Sequence, residues 1–167
     1  FIKVDYLPKP GIISHGKEFK ELPAGGGAVI TKTLSELTNN DVHFFTALGN
    51  DFYGKESYKF FEKIGINLHV AWRDKDTRKG FSLVDNEGDR SITVLGERLS
   101  PTLKDDLNWN LLEEMDGIFV TAGDKELLRK SRNAKILCTT PRVGLKILNN
   151  SKVKLDCLIG SNLDPDE

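Results

Sequence analysis

Apolar positions recur along this chain with two different periods, and the period changes at recognisable turn residues. Phe1-Ile2-Lys3-Val4-Asp5-Tyr6-Leu7 alternates as a strand does, and Pro8, Pro10 and Gly11 break it. Residues 12–22 read as a short polar hairpin arm. After Pro23 and a glycine run, the positions from Ala28-Val29-Ile30 to Leu37 are spaced for a helix, which Asn39-Asn40-Asp41 ends in a turn. Val42-His43-Phe44-Phe45-Thr46-Ala47-Leu48 has the length and composition of a buried strand. Gly49-Asn50-Asp51 then turns the chain into a helix over 52–64, with Phe60, Phe61 and Ile64 on its inner face and Gly65 as its stop. Strands are expected near 66–72, 80–85 and 90–95, the last two joined by the hairpin turn Asn86-Glu87-Gly88-Asp89.

From residue 100 the rhythm becomes regular. Ser100-Pro101 opens an expected helix to about 114, followed by a strand at 117–121, a helix at 124–133, a strand at 134–139, a helix at 142–149 and a strand at 155–160. Alternation of this kind predicts βα units on one mostly parallel sheet, an α/β fold. The 80–95 hairpin breaks the alternation and is expected to form a side structure. No sequence repeat is present.

The bulk numbers narrow the class. The 167 residues, 38% hydrophobic and 29% charged, suit one globular domain. Lys and Arg number 24 against 25 Asp and Glu, a net charge of −1, so nucleic acid is not the expected partner. Arg129, Lys130 and Arg132 read as a solvated helix face. Cys138 and Cys157 sit in apolar runs, which predicts buried, reduced thiols in strands and a cytoplasmic protein. No apolar run approaches the roughly 18 residues of a membrane span, and no signal-peptide pattern is present. The chain starts at Phe1 inside an apolar stretch and stops just after a strand, which reads as a piece cut slightly at the start and heavily at the end.

Candidate chemistry begins with Gly25, Gly26 and Gly27. Glycines at a helix start cost about 1 kcal/mol each against alanine, so they call for a reason. Two readings are open: a tight turn with close backbone packing, or close approach of a ligand to the exposed N–H groups of the helix start. A dinucleotide fingerprint is excluded because Ile30 stands where its last glycine belongs. Gly49-Asn50-Asp51-Phe52-Tyr53-Gly54-Lys55-Glu56 is a near miss for a phosphate-binding loop, with Glu56 in place of the metal-binding hydroxyl. The better reading is structural, with glycines shaping the turn and Asp51 capping the helix. Asp5, at a strand end, is either a hydrogen-bond acceptor for substrate hydroxyls or an ordinary surface aspartate. His15, His43 and His69 show no metal-ligand spacing.

Taken in order, Val4-Asp5-Tyr6, the Gly25-Gly26-Gly27 helix entry, Ala47 to Gly54, Gly65-Ile66, Gly88-Asp89-Arg90-Ser91-Ile92 and Leu158-Ile159-Gly160-Ser161-Asn162 resemble the ribokinase-like (PfkB) carbohydrate kinase family over essentially the whole chain. The resemblance implies a ribokinase-like βα sandwich with a mostly parallel central sheet and a small β lid, residues 1–167 forming its N-terminal part. It implies lid segments at about 12–22 and 80–95, which cover the substrate and often mediate dimer contact. It implies ATP and Mg²⁺ as cofactors and a sugar, sugar acid or nucleoside as substrate. Asp5, Gly25, Gly26 and Gly27 are then expected to bind substrate, and Asn162 and Glu167 to serve the phosphate and Mg²⁺ network.

Three departures qualify the expectation. Val29 stands where the family usually has a substrate-binding asparagine. Pro165 stands at the glutamate position of the Asn-x-x-Glu motif, leaving Asp164, Asp166 or Glu167 to substitute. The Gly-Ala-Gly-Asp motif that carries the catalytic base is not in the chain, so the chain alone is not expected to catalyse. An inactive sugar- or nucleoside-binding family member and an unrelated Rossmann-like nucleotide module are the competing readings.

Overall fold

A computed structural model of the chain describes residues 1–161. Asn162 and Glu167, the two expected phosphate-network residues, lie outside the described residues.

Two βα-type bodies form where the sequence pattern is strongest. The first consists of β3 (His43–Gly49), α2 (Phe52–Lys63) and β4 (Asn67–Arg73), the two strands pairing parallel in full register from His43 opposite Asn67 to Gly49 opposite Arg73. α1 (Gly26–Leu37) packs on this pair, and its buried Ala28 meets Phe61 and Ile66 with Phe44, Phe60 and Leu68 around them. Asp51 caps α2 by accepting from the Gly54 N–H at 2.8 Å, as the sequence predicts. The second body consists of β7 (Gly117–Val120), α3 (Lys125–Ser131), β8 (Ile136–Thr139), α4 (Leu145–Ser151) and β9 (Cys157–Leu158), with the strands in parallel order β7-β8-β9. Its core is Val120, Leu128, Leu137 and Val143, with Leu128 and Leu137 fully buried.

The remaining strands form a separate sheet. β1 (Ile2–Lys3), β2 (Glu18–Phe19), β5 (Lys79–Val84) and β6 (Arg90–Leu95) lie in the order β2-β1-β5-β6. β1 is antiparallel to β2 and parallel to β5, and β5–β6 is the expected hairpin. The segment at 1–7 is thus two residues of strand in this mixed sheet, not the first strand of the parallel sheet. Its alternation reports burial on one face and does not name the partner strand.

Further expectations are corrected. The described residues form two parallel pieces rather than one parallel sheet, and among them no strand joins β3 to β7. The expected helix at 100–114 is a turn at 102–105 followed by one 3₁₀ stretch, Trp109–Glu113. Asp105 accounts for this: it accepts from the Thr102 N–H at 2.7 Å and holds Arg73 through both of its oxygens, fixing the chain in a turn. The basic residues of α3 are braces rather than a solvated face. Arg129 donates to the carbonyls of Asn150 and Ser151, and Arg132 to that of Lys154 and to Asp156. Cys157 is exposed and Cys138 half-buried, both as free thiols in register across β8 and β9. Burial, and then the neighbouring Cys157, push the Cys138 thiol up. No helix among the described residues is long and apolar enough to cross a membrane.

Candidate functional site: a cleft at the start of α1

A cleft of about 2520 Å³ lies between the two parallel bodies and the four-stranded sheet. The glycine run of α1 forms part of its wall, facing Phe44 of β3 and Thr121 just after β7. The three glycines have three different reasons to be there. Gly25 adopts φ 93° and ψ 159°, a region that only glycine enters without strain. Gly27 is closely packed: a Cβ there would lie 3.0 Å from the Phe44 ring and 3.1 Å from Thr121 Oγ1, so both side chains would have to give by a few tenths of an ångström. Gly26 does have room, its nearest neighbour being Thr121 Cγ2 at 3.5 Å. Close packing and turn geometry therefore explain Gly25 and Gly27 and leave Gly26 without a structural reason.

The start of α1 also differs in polarity from those of the helices capped by aspartate. Asp51 caps α2 and Asp124 caps α3, whereas no side chain caps α1 and no acidic residue stands in its first turn. The helix start keeps its partial positive charge and turns it to the cleft. Val29, 58% exposed, lines the same cleft and offers only methyl groups where an asparagine is expected.

Asp5 is not brought to this site. It does not line the cleft, and its carboxylate is paired with Lys17 and accepts from Asn86 Nδ2 at 3.1 Å, tying the β1–β2 arm to the β5–β6 turn. The Lys17 hydrogen bond, then that of Asn86, holds the carboxyl below its ordinary value. The geometry favours the surface-aspartate reading: both contacts are exposed, at the end of the sheet and outside its strands.

The near-miss phosphate loop is filled by its own chain. A Cβ at Gly49 would fall 2.3 Å from the Lys75 carbonyl, and one at Gly54 would fall 1.9 Å from the Gly49 carbonyl. Asp51 accepts from Thr77 N–H at 2.9 Å and Thr77 Oγ1 at 2.6 Å. Burial acts to raise the Asp51 carboxyl, but the Thr77 and Gly54 hydrogen bonds outweigh it and hold the value low. The loop anchors the segment leading into β5 and has no space for phosphate.

Two groupings are invisible in the linear sequence. His43 and His69 meet on neighbouring strands, Nδ1 to Nε2 at 3.0 Å, and His69 stacks on Phe45 at 4.1 Å. Burial and then His43 push His69 down. No third ligand joins them; among the described residues no cluster of three or more His, Cys, Asp or Glu converges. The pair has a measurable consequence. The unfolded chain takes up a proton at His69 that the folded chain resists, so stability is full above about pH 6.5 and falls as pH drops below it. We expect His69→Phe, which keeps the stack, to flatten that limb of a stability-against-pH curve measured by urea unfolding. The second grouping is Arg78, Arg98 and Arg142, all on the cleft wall.

The arrangement is that of a mixed α/β ribokinase-like fold, present in part. The structure resembles ribokinase from Thermotoga maritima at 24% identity and a TM-score of 0.68, over 95% of this chain and 54% of that one. It resembles Arabidopsis thaliana ribokinase, solved with ribose and ATP, at 17% identity and a TM-score of 0.66, over 95% and 55% of the two chains. The nucleoside kinase of Methanocaldococcus jannaschii matches at 14% identity and a TM-score of 0.52, over 89% and 50%. The chain thus spans about half the length of these solved relatives. No curated protein matches it. The model of the pfkB family carbohydrate kinases matches residues 1–143, and the chain belongs to that family. Membership sets aside the reading as an unrelated Rossmann-like module.

Proposed function

We propose that the full-length protein transfers a phosphoryl group from ATP to a hydroxyl of a sugar or related small molecule, and that this chain supplies the acceptor-binding cleft. The observation that carries the proposal is the uncapped start of α1, opening through Gly25 and Gly26 onto a cleft roofed by the four-stranded sheet. Family membership supports it, as do the ribose and ATP of the Arabidopsis relative.

The chain's own residues have two tasks in this reading. The N–H groups of the α1 start and Thr121 hold the acceptor hydroxyls. Phe81 of β5 and Ile92 and Val94 of β6 line the cleft from the sheet side and, acting as a lid, exclude water from the reacting hydroxyl. ATP and Mg²⁺ would supply the phosphoryl group and neutralise its charge. The described residues do not fit the triphosphate: the one loop of suitable shape is filled by residues 75–77.

The lid also carries the proposed dimer contact. β6 is a sheet edge exposed along all six residues, with Ile92, Val94 and Leu95 among them. Sedimentation should show a dimer for the full-length protein and a monomer for Val94→Lys; a monomeric wild type would remove the proposal.

The function is tested by an ATP-dependent assay of the full-length protein over sugars, sugar acids and nucleosides. Transfer to at least one acceptor is expected. Binding without any transfer would favour the second reading, an inactive ligand-binding member, to which Val29 on the cleft wall points.

A further inference from the structure

We propose that Thr77 is a positioning residue for the acceptor cleft: it fixes the root of the β5–β6 hairpin on the first parallel body, and so sets where the lid comes down on the acceptor. This role rests on the acceptor-cleft reading above and deepens it.

Thr77 stands between the end of β4 at Arg73 and the start of β5 at Lys79, where the chain leaves the first body for the lid. Its N–H and its hydroxyl are both taken by the β3–α2 turn. The N–H donates to Asp51 Oδ2 at 2.9 Å and the hydroxyl donates to Asp51 Oδ1 at 2.6 Å. The hydroxyl oxygen accepts from the Gly49 N–H at 3.2 Å. Hydrogen bonds to a carboxylate are about twice as strong as neutral ones. Asp51 is itself held in place, because Oδ1 also accepts from the Gly54 N–H in the first turn of α2. The fit is close: a Cβ at Gly49 would fall 2.5 Å from the Thr77 backbone nitrogen and 2.8 Å from its Oγ1.

Past Thr77 the hairpin has weaker ties to the first body. β6 is exposed along its whole length. The Lys75–Glu97 ion pair across the two roots is exposed on both sides, and such pairs contribute little. Lys79 adds a cation–π contact to the Tyr53 ring at 4.4 Å. The return side is tied instead to the second body, where Arg98 donates to the Thr121 and Arg142 carbonyls. Releasing Thr77 therefore frees one root while the other stays held, and the lid tilts. A strand advances about 3.3 Å per residue, so Phe81 stands about 13 Å from the root, and a tilt of about 10° moves it about 2 Å. Phe81 lines the cleft, and a misplacement of about 1 Å at a reacting centre is enough to cost about 100-fold in rate. The same shift opens the cleft to water.

The test uses the full-length protein. Thr77→Val keeps the side-chain size and the backbone bond to Asp51 and removes the hydroxyl. Asp51→Asn caps a helix about as well as aspartate but offers Thr77 no carboxylate, so it gives a second folded variant. Hydrogen–deuterium exchange is followed in β5–β6, with β3–β4 as the internal reference. Acceptor KM and the ratio of ATP hydrolysed to ATP transferred are measured on the same proteins. In both variants the lid amides should exchange about tenfold faster while β3–β4 stays within about twofold. Acceptor KM should rise about tenfold, and the hydrolysis-to-transfer ratio should rise with it. Thr77→Ser, which restores the hydroxyl, should recover most of all three. A purely structural role would lower the amount of active enzyme and leave acceptor KM and the ratio unmoved. Unchanged lid exchange, unmoved KM and ratio in both variants, or no recovery by serine overturns the proposal. Faster lid exchange in a protein that transfers to no acceptor keeps Thr77 as the root of the lid and overturns the kinase reading; transfer with an unmoved acceptor KM and ratio does the reverse.

Discussion

Gly54→Ala is expected to destabilise the protein by about 4 kcal/mol, a large share of the roughly 5–15 kcal/mol that holds a domain folded. The new methyl group would fall 1.9 Å from the Gly49 carbonyl oxygen and 3.0 Å from Thr77 Oγ1. The nearer obstacle is backbone, so it cannot swing aside, and overpacking of this kind costs about 1–3 kcal/mol. Moving the first turn of α2 also breaks the Asp51 cap on the Gly54 N–H, worth about 1 kcal/mol, and disturbs the two Asp51–Thr77 hydrogen bonds. Gly80→Ala is the control, because nothing lies within 4 Å of a Cβ there. Urea unfolding of the two variants should show a large loss for the first and a small change for the second. Equal losses would mean that the Gly49–Gly54 loop is not the packed anchor described here.

Asp105→Ala is expected to cost about 3 kcal/mol. Asp105 receives Arg73 Nη1 at 2.7 Å and Nη2 at 2.8 Å, a bidentate pair with both side chains largely shielded. Removing one partner leaves the guanidinium short of its carboxylate, and that loss dominates the cost. The Thr102 N–H loses its acceptor as well. The Arg73 hydrogen bond holds the Asp105 carboxyl below its ordinary value, despite a raising effect of burial. A carboxylate lowered on folding stabilises above the unfolded value of about 3.9 and loses that contribution as pH falls through the folded one. The variant should therefore lose stability at pH 7 and show a shallower acid limb; an unchanged acid limb would contradict the pairing.

Particular residues show what the sequence could and could not reveal. β3, α2, β4 and the β5–β6 hairpin fall where the periodicity places them, because each has a clear apolar face and a glycine or aspartate at its ends. The helix expected from Ser100-Pro101 fails because Asp105 prefers Arg73 and the Thr102 N–H to solvent, a tertiary choice that local pattern does not encode. Strand alternation at 1–7 is real for Ile2–Lys3, yet the partner is β5, far along the chain, and with that pairing Asp5 turns to Lys17. The glycine run was legible as an expense needing a reason, and only coordinates could divide it into a conformational glycine, a packed one and an open one. The arginines of the cleft wall were silent in sequence, because Arg78, Arg98 and Arg142 share no motif and are brought near one another by contacts between distant segments, such as that of Arg98 with the Arg142 carbonyl.

Gly26 offers the most direct test that an acceptor lies against the start of α1. A methyl group there has space beside Thr121, and alanine is up to about 1 kcal/mol better than glycine in a helix, so Gly26→Ala should fold at least as stably as the parent. If the acceptor approaches that backbone, the same methyl group intrudes on it, and acceptor KM in the full-length protein should rise about tenfold or more. A stable Gly26→Ala protein with unchanged KM for every accepted substrate would contradict the account.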